Sequence, residues 1–337
     1  MSLADEITTS LKDAIEFERL FPMPTFIMMI GLPGSGKSTV VQDIKEKYPN
    51  IEVFSSDAYR AKLLGDENDQ SNNELIFNTM HRDLIFHLMQ GKNCIFDATN
   101  INRKDRKRAL DKVRHLAIKK IAYFIDTNFR ECIDRDANRE RSVGSHVIEK
   151  FIRRFEFPQK FEGFDDIVIH SQRYNDMNSN FNREKEQFYL EEMKHFDQLN
   201  PHHIHTLGEH CANLATQIKL TSQEARIMHE AGWWHDIGKL YTQKIDDKGV
   251  AHYYNHDNIG AYIIACNTDI LWNAKKWDDV YEVIFFINYH MRAHNDFTSE
   301  KAQKKYTELF GIDRFNKLMQ FAECDRIASG TYGGYES

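Results

Sequence analysis

Residues 26–48 read FIMMIGLPGSGKSTVVQDIKEKY: an apolar β-prone run, a glycine loop, and a helical pattern. The loop, Gly31-Leu32-Pro33-Gly34-Ser35-Gly36-Lys37-Ser38 with Thr39 behind it, fits GxxxxGK[ST]. A strand before it and a helix after it make that motif specific. Glycines there let backbone N–H groups wrap β- and γ-phosphates, and the helix start adds positive potential. Lys37 would neutralise the phosphates and Ser38 would offer a hydroxyl to Mg²⁺. The implied ligands are ATP, or another NTP, and Mg²⁺.

Outward from this loop, residues 51–54, 93–96, 120–125 and 166–170 are further short apolar runs separated by helical patterns. Such alternation predicts a parallel sheet with crossover helices, an α/β fold. Residues 1–20, with Leu3, Ile7, Leu11 and Ile15 at helical spacing, read as a leading amphipathic helix. The polar stretch 66–73 (DENDQSNN) is a loop or lid candidate. After Ser171 the strand pattern disappears, and from Ile204 onward every periodic segment is helical. The expected organisation is two domains: an α/β domain over 1–172, a linker over 173–195 holding a helix in its second half, and an all-α domain over 196–337. The glycine-rich end, 329–337, reads as a loose tail.

Composition narrows the possibilities. A chain of 337 residues exceeds one ordinary core. Its 41% apolar and 28% charged content excludes wholesale disorder. The longest apolar stretch, 26–32, is too short to span a bilayer, so no membrane partner is expected. Five scattered cysteines without a CxxC pair argue against a disulfide framework or a thiolate zinc site. With no basic-then-apolar segment at its start, a cytoplasmic location is expected. The net charge is −7, yet residues 103–120 (RKDRKRALDKVRHLAIKK) form a basic run, and further basic residues lie within 130–154.

Three further features bear on where a phosphoryl group would go. Asp57 and Arg60, in Ser55-Ser-Asp57-Ala-Tyr-Arg60, follow the second strand, where a carboxylate can accept a hydroxyl proton and a guanidinium can grip a phosphate. An Asp N-cap with an i,i+3 ion pair is the purely structural alternative. Asp97 ends a strand in Asn93-Cys-Ile-Phe-Asp97-Ala-Thr-Asn100, a Walker-B-like position for the magnesium shell. Arg135, Arg139 and Arg141 follow the fourth strand, where arginine can close over transferring phosphates.

In this order, GLPGSGKST, SSDAYR, DATNIN, RDANRER and FEFPQKFEGFDDI, residues 24–170 resemble the phage-type polynucleotide kinases. These P-loop kinases phosphorylate 5′-hydroxyl ends of RNA or DNA. The resemblance implies Asp57 as general base, Arg60 on the acceptor's neighbouring phosphate, and Arg139 as a lid arginine contacting ATP. The lid reads Arg141-Ser-Val-Gly-Ser-His146, without the proline that often follows the valine in relatives.

Residues 202–294 carry ten of the sixteen histidines. His235-Asp236 can ligate one metal through N and O donors. His210, His256, His290 and Asp325 lie on separate segments, and His210, His235, His290 and Asp325 each fall on the apolar face of a helix. Buried imidazoles and carboxylates cost several kcal/mol unless paired, on the order of 2–7 kcal/mol for a neutral polar group, so shared metal is the economical account. The order H…HD…H…H…D over residues 200–328 resembles the HD-domain metal phosphohydrolases. That likeness implies His210, His235, Asp236 and Asp325 as the main site, with His256 and His290 completing a second metal or contacting phosphate. One or two divalent ions of the Mn, Ni, Co, Fe or Zn class would serve, and Lys239 would steady the phosphate. His202, His203 and His205 are additional phosphate-contact candidates.

A 5′-kinase beside a phosphohydrolase suits broken RNA ends, so the combined expectation is a bifunctional end-healing enzyme. It would phosphorylate 5′-OH polynucleotide ends, RNA in preference to DNA, and remove 2′,3′-cyclic or 2′/3′-phosphates. An RNA ligase is the candidate downstream partner. Two rivals remain: a small-molecule or nucleoside kinase fused to an HD nucleotide phosphohydrolase, and a nucleotide-gated regulator with a non-catalytic metal site.

Overall fold

The apolar run before the glycine loop becomes strand β1, Thr25–Ile30, and every one of its residues is buried. A strand buried on both faces needs neighbours on both edges and helices above and below. In the computed structural model, which describes residues 23–173, 181–201, 204–297 and 299–330, β1 has both. The helix expected over 1–20 and residues 331–337 lie outside the described residues.

Four further strands, β2 (Glu52–Ser55), β3 (Cys94–Asp97), β4 (Lys119–Phe124) and β5 (Asp166–Ile169), join it in the order β2-β3-β1-β4-β5. All four pairings are parallel. The connections contain α1 (Lys37–Lys47), α2 (Ser56–Leu64), α3 (Asn73–Met89), α4 (Arg103–Val113), α5 (Phe129–Ala137) and α6 (Ser145–Ile152). Alternation along the strands sorts the layers. Ile27, Met29, Ile121, Tyr123 and Val168 pack with Val40, Val41 and Ile44 of α1. On the other face Phe96 stacks on His81 of α3, ring centroids 5.4 Å apart. The order reverses at β1, so the glycine loop leaves the sheet at the switch point where such sheets bind ligands.

The chain divides into two compact units. The first holds 23–151 and 158–173 of the described residues; the second holds 152–157 and the described residues from 181 on. The second unit is built from α7 (Arg183–His195), α8 (Leu207–Gln217), α9 (Gln223–Trp234), α10 (His256–Ala265), α11 (Trp277–Asn295), α12 (Glu300–Phe310) and α13 (Ile312–Ala328). Helix α11 is its axis, packed by α9, α10 and α13. Its run from Val283 to His290 is buried without interruption.

These units correct the expected boundaries in two places. Within the stretch expected as a linker, α7 buries Tyr189 and Met193 and packs on α8. Residues 152–157, expected in the first domain, belong to the second unit because their aromatics are buried there. The Phe155 ring meets Tyr262 at 5.0 Å, and Asn288 Oδ1 accepts the Phe157 N–H at 2.8 Å. The all-α expectation also needs one amendment, a short antiparallel hairpin of β6 (Lys244–Ile245) and β7 (Ala251–His252). Its turn is closed by Asp246, whose Oδ1 accepts the backbone N–H groups of Lys248 and Val250, with Gly249 at φ +79°. Among the described residues no helix is long and apolar enough to cross a membrane.

Candidate active sites

At the carboxyl edge of the sheet the register sets the first site. Ser55 of β2 pairs with Asp97 of β3, so Asp57, two residues on, leaves the sheet beside Asp97. The Gly31 N–H donates to the Thr99 carbonyl at 3.1 Å, which ties the glycine loop to the same edge. Gly34 has φ +81°, and a Cβ there would lie 2.3 Å from the Cys132 carbonyl; only glycine fits. Lys37 folds under the loop and donates to the Gly31 and Leu32 carbonyls, each at 2.9 Å. Burial lowers its pKa, against the pull of the Asp97 carboxylate. Burial likewise raises the pKa of Asp97, opposed by Lys37 and reinforced by Asp57. Ser38 and Thr39 are exposed at the helix start, and Ser35 Oγ is buried with no hydrogen-bond partner among the described residues. Exposed hydroxyls, a buried orphan donor and a lysine on weak carbonyl partners fit an anion with its magnesium.

The surroundings of Asp57 are more crowded than the sequence suggests. Arg60 Nη1 pairs with Asp57 Oδ1 at 2.7 Å, and its Nη2 donates to Asn73 Oδ1 at 3.1 Å. The structural alternative for this pair is thus half realised, since the i,i+3 ion pair is present but Ser55 is the N-cap. The other Asp57 oxygen is taken by Arg141 Nη1 at 3.3 Å. Arg141 also pairs with Glu67 Oε1 at 3.0 Å and donates to Asn68 Oδ1, so it ties the expected lid stretch to Asp57. Arg139, the lid arginine implied by resemblance, is exposed and lies close enough to Lys37 to lower its pKa. Arg135 lies against Gly36. Where relatives carry proline, the loop has Gly144 at φ +86°, pinned by Asp136, which accepts the Val143 and Gly144 N–H groups at 3.0 Å. Sequence reasoning grouped Arg141 with its neighbours; only the loop's path singles it out.

The second site gathers six expected residues from five segments. His210 sits on α8, held by a Thr206/Glu209 capping box at the helix start. His235 closes α9, and Asp236 opens the 3₁₀ turn Ile237–Tyr241. His256 begins α10, His290 lies on α11 and Asp325 on α13. His210 Nε2, His235 Nε2, Asp236 Oδ2 and Asp325 Oδ1 lie 3.0–3.4 Å from one another across their nitrogen–oxygen pairs. Ligand bonds of about 2.1 Å place neighbouring donors roughly 3.0–3.4 Å apart, so the spacing suits one enclosed cation. A second group adjoins it: Asp236 Oδ1 is 3.0 Å from His256 Nε2 and 3.6 Å from His290 Nε2. Asp236 therefore serves both groups, one oxygen to each.

Tautomers support the assignment. The Nδ1–H groups of His235, His256 and His290 donate to the carbonyls of Gly232, Tyr253 and Ile287 at 2.7–2.8 Å. A carbonyl can only accept, so Nδ1 carries a proton in each ring and Nε2 is the atom left to offer a metal its lone pair once deprotonated. The Nε2 atoms of His256 and His290 face each other at 3.2 Å, which favours a cation between them. Burial opposes charge on His210, but Asp236 and Asp325 outweigh it and push its pKa up to about 9. Burial is outweighed in the carboxylates too, since the surrounding cations hold Asp236 and Asp325 well below their ordinary range. Such a donor set fits a divalent ion in place of protons.

Lys239 is buried, with Nζ 2.7 Å from Asp236 Oδ2 and 2.9 Å from Gln198 Oε1. A cavity of about 370 Å³ opens over the cluster, walled in part by Asp236, Lys239, His256 and Asp325. His294 also lines it and reaches Asp325 Oδ2 at 2.8 Å. Sequence reasoning passed over His294 although it falls one turn after His290, a spacing that shares a helix face. His205 pairs with Glu209 at 3.8 Å, outside the cluster, and His202 and His203 lie outside the described residues.

Residues 26–158 match a family model described as an AAA domain. No curated protein matches the chain. Among solved structures, a chain of the Pnkp1/Rnl/Hen1 RNA repair complex is 22% identical, with a TM-score of 0.36 over 38% of this chain and 43% of that one. This chain therefore spans less than half the length of that relative. A fungal RNA kinase is 18% identical over 43% of this chain and 74% of its own, TM-score 0.32. A gluconokinase from Sinorhizobium meliloti 1021 is 16% identical over 44% and 82%, TM-score 0.32. Likeness at this level does not separate an RNA acceptor from a sugar; that choice rests on the side chains around Asp57.

Proposed function

We propose that the chain is a bifunctional nucleic-acid end-healing enzyme, a 5′-hydroxyl kinase in the first unit and an HD-type metal-dependent phosphohydrolase in the second. The observation that carries the reading is the acceptor corner, a carboxylate flanked by two guanidiniums at the lip of the nucleotide loop. Asp57 takes the proton of the attacking 5′-hydroxyl. Arg60 and Arg141 exchange their carboxylate for the phosphodiester beside that hydroxyl, a group a free sugar lacks. Lys37 leaves its loop carbonyls for the phosphates of ATP, and Arg139 covers them from the lid. Ser38 and Asp97 are the residues that would hold magnesium.

In the second unit His210, His235, Asp236 and Asp325 would hold one divalent ion, and Asp236, His256 and His290 another. When bound, such ions supply Lewis acidity toward a phosphoryl oxygen and water. Lys239 anchors Asp236 and presents its ammonium to the cavity, where it neutralises a phosphate. The substrates that fit both halves are RNA ends bearing a 5′-hydroxyl and a 2′,3′-cyclic or 2′/3′-phosphate, with an RNA ligase acting afterwards. A cavity of about 370 Å³, near the low end of small-ligand pockets, also favours the rival in which the second unit acts on single nucleotides.

The test is an acceptor panel with γ-labelled ATP and Mg²⁺: 5′-OH RNA, 5′-OH DNA, nucleosides, nucleoside 3′-phosphates and sugars. Label on the oligonucleotides and not on sugars is expected. Label confined to sugars or unphosphorylated nucleosides would leave the guanidinium pair without its phosphate and overturn the reading.

A further inference from the structure

The cavity over the metal cluster has a wall that hydrolysis does not use. Tyr254 lines it with 62% of its surface exposed. Its ring lies flat on His252, centroids 5.7 Å apart and planes within 6°. His252 is itself held by Asp246 of the hairpin turn at 3.1 Å. Tyr253, between them, lines the cavity too, but its ring lies under Lys239 Nζ at 5.3 Å and its hydroxyl donates to the Gln198 carbonyl, so it is already occupied. One face of the Tyr254 ring is thus backed by a fixed imidazole, and the ring stands two residues before His256. Asn255, at φ +62°, makes the sharp turn that brings platform and candidate ligand to one cavity.

We propose that Tyr254, backed by His252, is a stacking platform for a nucleobase whose phosphate lies at the Asp236–His256 wall. This rests on the phosphohydrolase reading above and names its substrate class: a nucleotide, free or at a strand terminus, in preference to a base-free phosphate. Lys239 and Arg326 line the same cavity, paired with Asp236 and Glu323, and a phosphate would draw on each by sharing it with its carboxylate. A volume of about 370 Å³ suits one nucleotide, with any remaining strand leaving through the mouth. Base–aromatic stacking of this kind is indifferent to base identity.

The test uses the full chain, manganese-loaded, with metal content measured, and probes that cannot be hydrolysed. Titration calorimetry compares adenosine phosphonate, ribose phosphonate and an oligonucleotide ending in the phosphonate. Adenosine phosphonate should bind about tenfold or more tightly than ribose phosphonate. Tyr254→Ala should collapse that ratio towards one with metal content unchanged, and Tyr254→Phe should keep it. Equal or absent binding by the wild type, or a ratio that survives in Tyr254→Ala, overturns the platform. Binding of the oligonucleotide supports a strand end, whereas its exclusion beside tight nucleoside binding supports a free nucleotide; either upholds the platform. Turnover of nucleoside phosphates on the same preparation judges the hydrolytic reading separately. Base-selective binding without turnover removes that reading and leaves the platform, and turnover without base selectivity does the reverse.

Discussion

Asp57 and Asp236 occupy equivalent chemical situations, each a carboxylate shared between two partners. At Asp57 the partners are guanidiniums that an acceptor phosphate can replace. Asp57→Ala should lower phosphoryl transfer about 10²-fold or more, the usual share of a general base. Arg60→Lys, whose ammonium does not reproduce a bidentate grip, and Arg141→Ala, which removes the second guanidinium, should each raise the acceptor KM while leaving the KM for ATP unchanged. Steady-state kinetics on a 5′-OH oligonucleotide checks both; an unchanged acceptor KM in Arg141→Ala removes that residue from the site. At Asp236 the partners are two groups of candidate metal ligands, one at each oxygen. Elemental analysis should find about two divalent ions per chain, about one in His256→Ala, and none in Asp236→Ala. Retention of one ion by Asp236→Ala would deny its bridging position. Periodicity already marked most of the cluster, since His210, His235, His290 and Asp325 repeat with their helices' apolar faces. The pairing of Arg141 with Asp57, and His294 altogether, escaped because Asp57 and Asp325 are reached only through loop paths and helix crossings that no local pattern encodes.

Elements hold these residues at their spacing, and two contacts show how. The 3₁₀ turn after Asp236 lies so close to α10 that a Cβ on Gly238 would sit 2.0 Å from the His256 carbonyl. Gly238→Ala should push the turn off α10, cost about 1–3 kcal/mol, and part Asp236 from His256. Metal analysis should then show one ion lost, with kinase activity kept; two retained ions would show the contact to be slack. In the first unit, α3 seats His81 against Phe96 of the sheet. Burial lowers its pKa to about 4, helped by Lys112 and Arg108. Between pH 4 and the ordinary value of 6.5 the unfolded chain binds a proton that the folded chain refuses. Stability of this unit should therefore fall as pH drops through that window, by at most about 3 kcal/mol. Thermal unfolding of wild type and His81→Leu at pH 4.5 and 7 checks this, and an equal acid loss in both contradicts it. The strands were legible because continuous apolar runs between helical patterns have few other uses. The hairpin at 244–252 was not, since two-residue strands carry no period and its turn is closed by a single aspartate.

For the whole molecule, the expectation of one sheet domain and one helical domain rested on where strand patterns stop, and that change was visible after Ser171. Less visible was the path of the chain between them. Residues 155–157 open the FEFPQKFEGFDDI stretch assigned by resemblance to the first domain, yet Phe155 and Phe157 are buried in the helical unit. On the proposed reading both sites act on the two ends of one broken strand. Mass spectrometry of an RNA oligonucleotide bearing a 5′-hydroxyl and a 2′,3′-cyclic phosphate, incubated with ATP, Mg²⁺ and Mn²⁺, reads both ends at once. Wild type should gain a 5′-phosphate and lose or open the cyclic phosphate. Asp57→Ala should change only the cyclic-phosphate end, and Asp236→Ala only the 5′ end. Unaltered oligonucleotide ends, beside rapid hydrolysis of free nucleotides and phosphorylation of a sugar or nucleoside, would contradict it.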